Sequence, residues 1–283
     1  MTEFNTIGIF GNLEDAAVTE VVDRITVILD SNAITHRQYY VTILDDDKNR
    51  GVDDDELDLA IIVGGDGTFM NVARLRAGCK APVLGINVGR RGFLSDVAVR
   101  EIEESMQLAL DGQYSIETRM VLVAKTTLSG SRTKSFSALN DIVVHKSNYG
   151  RLIDFEISVD GNFMTNLRAD GVIVATPTGS TAYALSAGGS VLYPTLPAME
   201  LVPLNPHTLT HRPIVLSDDS SIDIQLVDVA PTNASLVVDG HVRAEFAGNE
   251  RIVVQRDRHT VDFIRITGHT FYNALRQKLG LGV

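Results

Sequence analysis

The chain carries a single cysteine, Cys79, in 283 residues, which excludes any disulfide within it and points to a reducing, cytoplasmic setting. It has no excess of positive charge: 25 Lys and Arg stand against 36 Asp and Glu, a formal net charge of −11. That balance attracts neither a nucleic-acid backbone nor an anionic membrane surface, so no nucleic-acid or membrane partner is expected. No run approaches the roughly 20 apolar residues that span a bilayer. The opening Met1-Thr2-Glu3-Phe4 lacks a basic region followed by a long apolar stretch and does not read as a signal peptide. Internal repeats and low-complexity tracts are lacking. So is the G-x-x-x-x-G-K-[ST] pattern, which excludes a P-loop enzyme. No metal site is read from the histidines.

What is present is the composition of a protein with a real core, 44% hydrophobic and 22% charged, in a length that suits one large domain or two ordinary ones. The acidity does not forbid an anionic ligand, because backbone N–H groups and a few placed arginines bind phosphate locally. The acidic runs Asp45–Asp47 and Asp53–Glu56 read as solvated loop. Cys79, after Gly78 at the end of a helical stretch, reads as a small buried filler.

The first hundred residues alternate short apolar runs with amphipathic ones. Thr6 to Phe10, Tyr39 to Leu44, Leu59 to Val63 and Pro82 to Asn87 read as strands. Between them, Ala17, Val21, Ile25, Ile28 and Leu29 recur at helical spacing, and Phe69 to Ala77 reads as a second helix. Apolar strands separated by helices predict a parallel α/β layer, which the helix Val99 to Leu110 leaves. After Gly112 the chain turns β-rich: 116–128, 137–145, 152–159, 167–175, 214–227, 234–238, 251–256 and 261–266, punctuated by turns such as Asp160-Gly161 and Asp239-Gly240. The expected division is therefore 1–112 as the α/β domain and 113–267 as the β-rich domain. A short C-terminal helix over Tyr272 to Leu279 makes 268–283 a candidate return to the first domain.

Two strand-to-helix junctions carry the chemistry. In LAIIVGGDGT an apolar strand ends at Gly64-Gly65-Asp66-Gly67-Thr68, and a helix follows. Glycines let several N–H groups approach one anion beside a helix N-terminus, a phosphate cradle. Asp66 is anomalous there, because a carboxylate repels phosphate. A proton acceptor for a hydroxyl attacking a phosphoryl group tolerates that cost. Orientation of a magnesium ion is the neighbouring reading, and a plain helix cap is the bland one. The second junction, RADGVIVATPTGSTAYALSAGG, runs an apolar strand into a hydroxyl- and glycine-rich turn before a helical stretch ending at Gly188-Gly189. It suits an anion or a ribose.

Taken together, these segments resemble the NAD kinases. The resemblance rests on GGDGT at 64–68, GINVGRRGFLSD at 85–96, ALNDIVVHK at 138–146, RADGVIVATPTGSTAYALSAGGSVLYP at 168–194, PHTLTHRPIVL at 206–216 and VVDGH at 237–241. It implies a Rossmann-like α/β domain of the diacylglycerol-kinase and phosphofructokinase type followed by a β-rich NAD-binding domain. The implied reaction is phosphorylation of the adenosine-ribose 2′-hydroxyl of NAD by ATP with Mg²⁺ or another divalent cation, giving NADP. A homodimer or homotetramer is implied as well.

By the same resemblance Asp66 is the catalytic aspartate and Gly67 lies against the dinucleotide. Asn140 and Asp141 match an NAD-binding pair, with Asp141 where most members have Glu. Asp170 matches an aspartate on the nicotinamide side, and Thr181, Ala182, Tyr183, Ala184, Leu185 and Ser186 match the segment on adenine and ribose. Arg168 matches a position linked to preferring NAD over NADH. Arg151 matches a basic residue offered to a neighbouring subunit's ligand. His241 stands where others carry Gln or another polar residue, and is a candidate ligand contact. Val88 replaces an arginine common in the family, leaving Arg90 or Arg91 to supply charge. A lipid kinase of the diacylglycerol type, a phosphofructokinase and a non-catalytic nucleotide-binding regulator are the rival readings. The donor is open at this point among ATP, another nucleoside triphosphate and polyphosphate.

Overall fold

The computed structural model of the protein describes residues 4–41, 55–89, 92–95, 97–127, 133–147, 152–227, 234–246, 250–268 and 270–280. The acidic runs (except Asp55 and Glu56), Arg90, Arg91 and Arg151 lie outside these residues. The chain divides into two compact units, residues 1–119 with 260–283 and residues 120–259. The boundary falls inside the strand Tyr114–Thr127, not at the Gly112–Gln113 turn. A strand is a continuous hydrogen-bonded rod, so a turn ahead of it need not be where packing changes.

In the first unit, parallel strands Thr35–Tyr40, Thr6–Gly11, Leu59–Gly64 and Val83–Asn87 lie side by side in that order. Thr6–Gly11 is central, because the chain steps to one side of it and then to the other. In such sheets the crevice at the strands' carboxyl ends, at this switch point, takes ligands. Leu59–Gly64 is buried along its whole length. The helix Ala16–Ser31 opens on Asp15, whose side chain accepts the Ala17 N–H at 2.9 Å. Its buried face is Val18, Val21, Val22, Ile25 and Leu29, at helical spacing. Ala17, assigned to that face from the sequence, is exposed, and Val18 and Val22 take its place. That face packs on Ile7, Ile9, Ile61 and Val63 together with Ile102 and Met106 of the helix Ile102–Leu110. The sequence extends that last helix back to Val99, but Val99–Glu101 is a separate 3-10 turn. Cys79 is half-buried rather than a core filler.

The second unit is antiparallel. One six-stranded sheet runs Ile214–Ser217, Ala198–Leu204, Gly171–Ala175, Asp141–Lys146, Ala234–Val238 and His241–Phe246. The others include Asn162–Ala169, Ile153–Val159 and Ile222–Val227, the last paired with the start of Arg251–Ile266. Alternation decides the faces. Ile142, Val144, Val172 and Val174 pack inward with Phe155, Ile157, Ile224 and Val254, while Val143, Ile173 and Val202 turn to the opposite face and cover Ala184. Asp160-Gly161 and Asp239-Gly240 are both left-handed pairs, with φ of 51° and 75° and of 48° and 81°. That is the signature of two-residue hairpin turns. The strands Ala198–Leu204 and His241–Phe246 were not read from the sequence. Among the described residues, no helix is long and apolar enough to cross a membrane.

Candidate active site

The helix Asp66–Leu75 starts directly after the strand Leu59–Gly64, with Gly65 as its N-cap and no side-chain hydrogen bond capping it. The first-turn N–H groups of any helix lack partners within it, so this end presents donors and a positive dipole. Asp66 is half-buried, and Gly65 and Gly67 are exposed. Gly64 is buried, and a Cβ on it would stand 2.9 Å from Thr68 Cβ and Oγ1. The glycine therefore lets the strand turn sharply into the helix.

The Asp66 carboxylate is held from the loop that follows Val83–Asn87. Oδ2 accepts the Phe93 N–H at 3.0 Å and Oδ1 accepts the Ser95 hydroxyl at 3.1 Å. Gly92 makes the approach possible, since a Cβ there would lie 1.7 to 2.0 Å from the carboxylate atoms. Gly64 pairs with Asn87 in register, and the Val88 N–H reaches Gly64 O at 3.2 Å. Gly92, Phe93 and Ser95 lie in the stretch GINVGRRGFLSD at 85–96, where the sequence alone assigns them no role. The glycine and the hydroxyl are legible in the sequence, but their partner Asp66 is not, because it lies 26 to 29 positions away.

In the second unit, the turn 176–182 folds onto Asn140. The Thr176 N–H donates to Asn140 O at 2.8 Å, and Thr176 Oγ1 donates to Leu139 O at 2.6 Å. Thr176 Oγ1 then accepts the Gly179 N–H at 3.0 Å. A Cβ on Gly179 would stand 2.1 Å from Asn140 O, so only glycine permits this contact. Thr181 and Ala182 are half-buried, Tyr183 and Ser186 are exposed, and Leu185 is half-buried. Ala184 turns inward and is packing rather than surface.

Asp141 is buried, and burial together with the neighbouring Asp239 carboxylate pushes its pKa up to about 7. Asp239 is the residue sequence reasoning missed. Its carboxylate accepts three backbone N–H groups, those of Leu139 at 2.9 Å, Asn140 at 2.8 Å and Asp141 at 3.2 Å. Its own N–H donates to Asp141 O at 3.0 Å. The Asp-Gly turn signal was legible, while the use of its carboxylate a hundred positions away was not. His241 follows on the same hairpin, paired with Val238 and half-buried.

Asp170 is not brought against Asp141. It precedes the strand Gly171–Ala175, whose other end, Ala175, pairs with Asp141, a separation of about 16 Å at about 3.3 Å per residue. Its carboxylate pairs with Lys146 Nζ at 2.5 Å and accepts from Asn205 Nδ2 at 3.0 Å. The hydrogen bond from Lys146, more than that from Asn205, holds its pKa below the usual carboxylate value. Arg168 is exposed and faces Asp154 at 3.8 Å. Glu200 is fully buried beside this turn region, its Oε1 accepting the Ser190 N–H at 2.7 Å, and desolvation raises its pKa. His207 and His211 stand four apart, but in a segment that is not helical, and no group of three His, Cys, Asp or Glu able to hold a metal occurs among the described residues.

Residues 29–114 match the ATP-NAD kinase N-terminal domain and residues 139–266 the ATP-NAD kinase C-terminal domain. An NAD kinase of Nitrosospira multiformis is 38% identical over 285 residues, covering 99% of this chain and 96% of the relative. One from Cellvibrio japonicus is 37% identical over 293 residues, covering 100% and 98%. Among solved structures, yeast NADH kinase complexed with NADH superposes with a TM-score of 0.84 at 26% identity, over 98% of this chain and 88% of that one. An NAD kinase from Archaeoglobus fulgidus in complex with ATP gives 0.76 at 25% identity, over 97% of both. With both domain models matched and relatives of 38% and 37% identity spanning nearly the whole chain, the chain belongs to the NAD kinase family.

Proposed function

We propose that Asp66 is the general base in the ATP-dependent phosphorylation of NAD to NADP, the reaction this chain catalyses as a member of its family. The proton of the adenosine-ribose 2′-hydroxyl passes to the Asp66 carboxylate. The ribose oxygen bonds to the γ-phosphorus of ATP, and the bond to the ADP oxygen breaks. Little covalent work falls to the protein in such a transfer, so positioning and charge stabilisation carry the rate.

The observation supporting the assignment is the confinement of Asp66: two donors and the bare Cα of Gly92 fix one carboxylate at an uncapped helix start. The N–H groups of the turn 64–68 are the proposed phosphate donors. Asn140, Asp141, His241 and the segment Thr181–Ser186 are proposed to hold the dinucleotide, with Asp170 on the nicotinamide side. Gly67 is proposed to lie against the same ligand, and Arg168 to favour NAD over NADH. A divalent cation, Mg²⁺ in our reading, fits a donor set without a carboxylate cage, because Mg²⁺ is carried largely by substrate phosphates and water. When bound, it neutralises charge on the transferred group. A cytoplasmic homodimer or homotetramer completes the proposal, with Arg151 offered to a neighbouring subunit.

Asp66→Asn, assayed for NADP formation from NAD and ATP with Mg²⁺, tests the central claim. Loss of about 10²-fold or more in kcat is expected of a general base. Turnover near that of the parent chain would remove the assignment. Crossing NAD and NADH against ATP and polyphosphate in the same assay fixes donor and acceptor.

A further inference from the structure

Behind Asp66 stands a second polar layer. Ser95 Oγ, which donates to Asp66 Oδ1 at 3.1 Å, receives the side-chain amide of Asn87 at 2.7 Å. Both Ser95 and Asn87 are buried, at 1% and 2% exposure. The approach is built in: a Cβ on Gly85 would meet the Phe69 ring at 2.6 Å and Ser95 Cα at 2.9 Å. Glycines at 85 and 92 thus let the loop carrying Ser95 close on the strand from one side and on Asp66 from the other.

Counting protons sets the direction of this chain. An ionised carboxylate only accepts, so the hydrogen between Ser95 and Asp66 comes from Ser95. A serine hydroxyl has one hydrogen, so toward Asn87 the same oxygen accepts. Asn87 must therefore present Nδ2 to Ser95 and turn Oδ1 away. Oδ1 is in fact buried with no hydrogen-bond partner among the described residues. A buried acceptor left without a donor is costly. The fold tolerates it because the reverse orientation would draw the Ser95 hydrogen to Asn87 and set lone pairs against the Asp66 carboxylate.

We propose that Asn87 and Ser95 are positioning residues for the phosphoryl transfer, holding the Asp66 carboxylate through a hydrogen-bond chain of one fixed direction that ends in an amide. The inference rests on Asp66 acting as base. An amide neither gives up nor takes a proton at neutral pH, so the chain is a brace and not a proton wire. The proton taken from the ribose hydroxyl stays on Asp66 until it leaves to solvent.

Three variants test this: Ser95→Ala, Asn87→Asp and Asp66→Asn, each assayed with NAD and ATP and checked for folding by thermal melting. Asn87→Asp keeps the shape but offers an acceptor where Ser95 needs a donor. Ser95 then turns toward residue 87 and releases Asp66. Ser95→Ala and Asn87→Asp are each expected to lose about tenfold or more in kcat per folded molecule, with the KM values for NAD and ATP within about twofold of the parent. Combining them should cost no more than the worse single change, because both act through one carboxylate. A parent-like kcat in Ser95→Ala beside an inactive Asp66→Asn overturns the brace and leaves the base standing. A rise in KM without loss of kcat also overturns it. An active Asp66→Asn would remove the base itself. Should Asn87→Asp fail to fold, the division between kcat and KM in Ser95→Ala decides alone.

Discussion

The Cα of Gly92 and the carboxylate of Asp66 occupy neighbouring space so tightly that a methyl group at position 92 would lie 1.7 Å from Asp66 Oδ1. One residue's missing side chain is the other's binding place. Gly92→Ala should therefore push Asp66 off its donors while leaving the buried strand Leu59–Gly64 intact. A misplacement of about 1 Å costs about 10²-fold in rate, so kcat should fall by about that factor. Circular dichroism should stay that of the parent. NADP formation at saturating substrates, beside a melting curve, checks both parts.

Gly179→Ala meets a harder wall, the backbone oxygen of Asn140 at 2.1 Å. The turn 176–182 must then lift from Asn140 and break the Thr176 contacts. Overpacking of this kind costs about 1–3 kcal/mol, and the KM for NAD should rise about tenfold or more if the turn holds the dinucleotide. Urea denaturation and a KM measurement read the two effects separately. An unchanged KM in a destabilised protein would refute the binding role of the turn.

Asp239→Asn isolates the carboxylate clamp. Asparagine tolerates the left-handed conformation at φ 48°, so the backbone is not strained. One of the two oxygens that share these three N–H groups becomes an NH₂, which cannot accept. Loss of such charge-assisted bonds should destabilise by about 2–3 kcal/mol, seen as a lower denaturation midpoint. The change also removes one of the two causes of the raised Asp141 pKa, so carboxyl titration by NMR should find the Asp141 midpoint moved down.

Stability should fall with rising pH in a defined window. Asp141 has its pKa raised from 3.8 to about 7, first by burial and then by Asp239. Between those values the folded chain keeps a proton that the unfolded chain has lost. Its contribution is thus complete below the lower value and gone above the higher one. Glu200, also raised by burial, adds in the same direction. Melting temperature followed across the window should decline, and Asp141→Asn should flatten part of that decline. A slope unaltered by Asp141→Asn would refute the assignment.

Much of this was legible in the sequence because it is local. The run LAIIV followed by three glycines becomes a buried strand and an uncapped helix start, each decided by neighbouring residues. Asp160-Gly161 and Asp239-Gly240 were turns from their composition, and the left-handed φ values agree. Reading failed where burial competes with pattern. Ala198–Leu204 carries a buried carboxyl group, Glu200, in an otherwise apolar strand, and the buried face of Ala16–Ser31 keeps Val21, Ile25 and Leu29 but takes Val18 and Val22 where Ala17 was expected.

The sequence by itself determined the chemistry offered: a carboxylate in a glycine turn, a hydroxyl-rich second turn, and motifs specific enough to name the family. Only the tertiary structure decided how those groups are held. The Asp66 carboxylate takes its orientation from Gly92, Phe93 and Ser95, and Leu139 to Asp141 are gathered by Asp239. Hydrogen-bond direction and steric exclusion act between atoms a few ångströms apart, whatever their separation along the chain. Those distances exist only once the loops have closed.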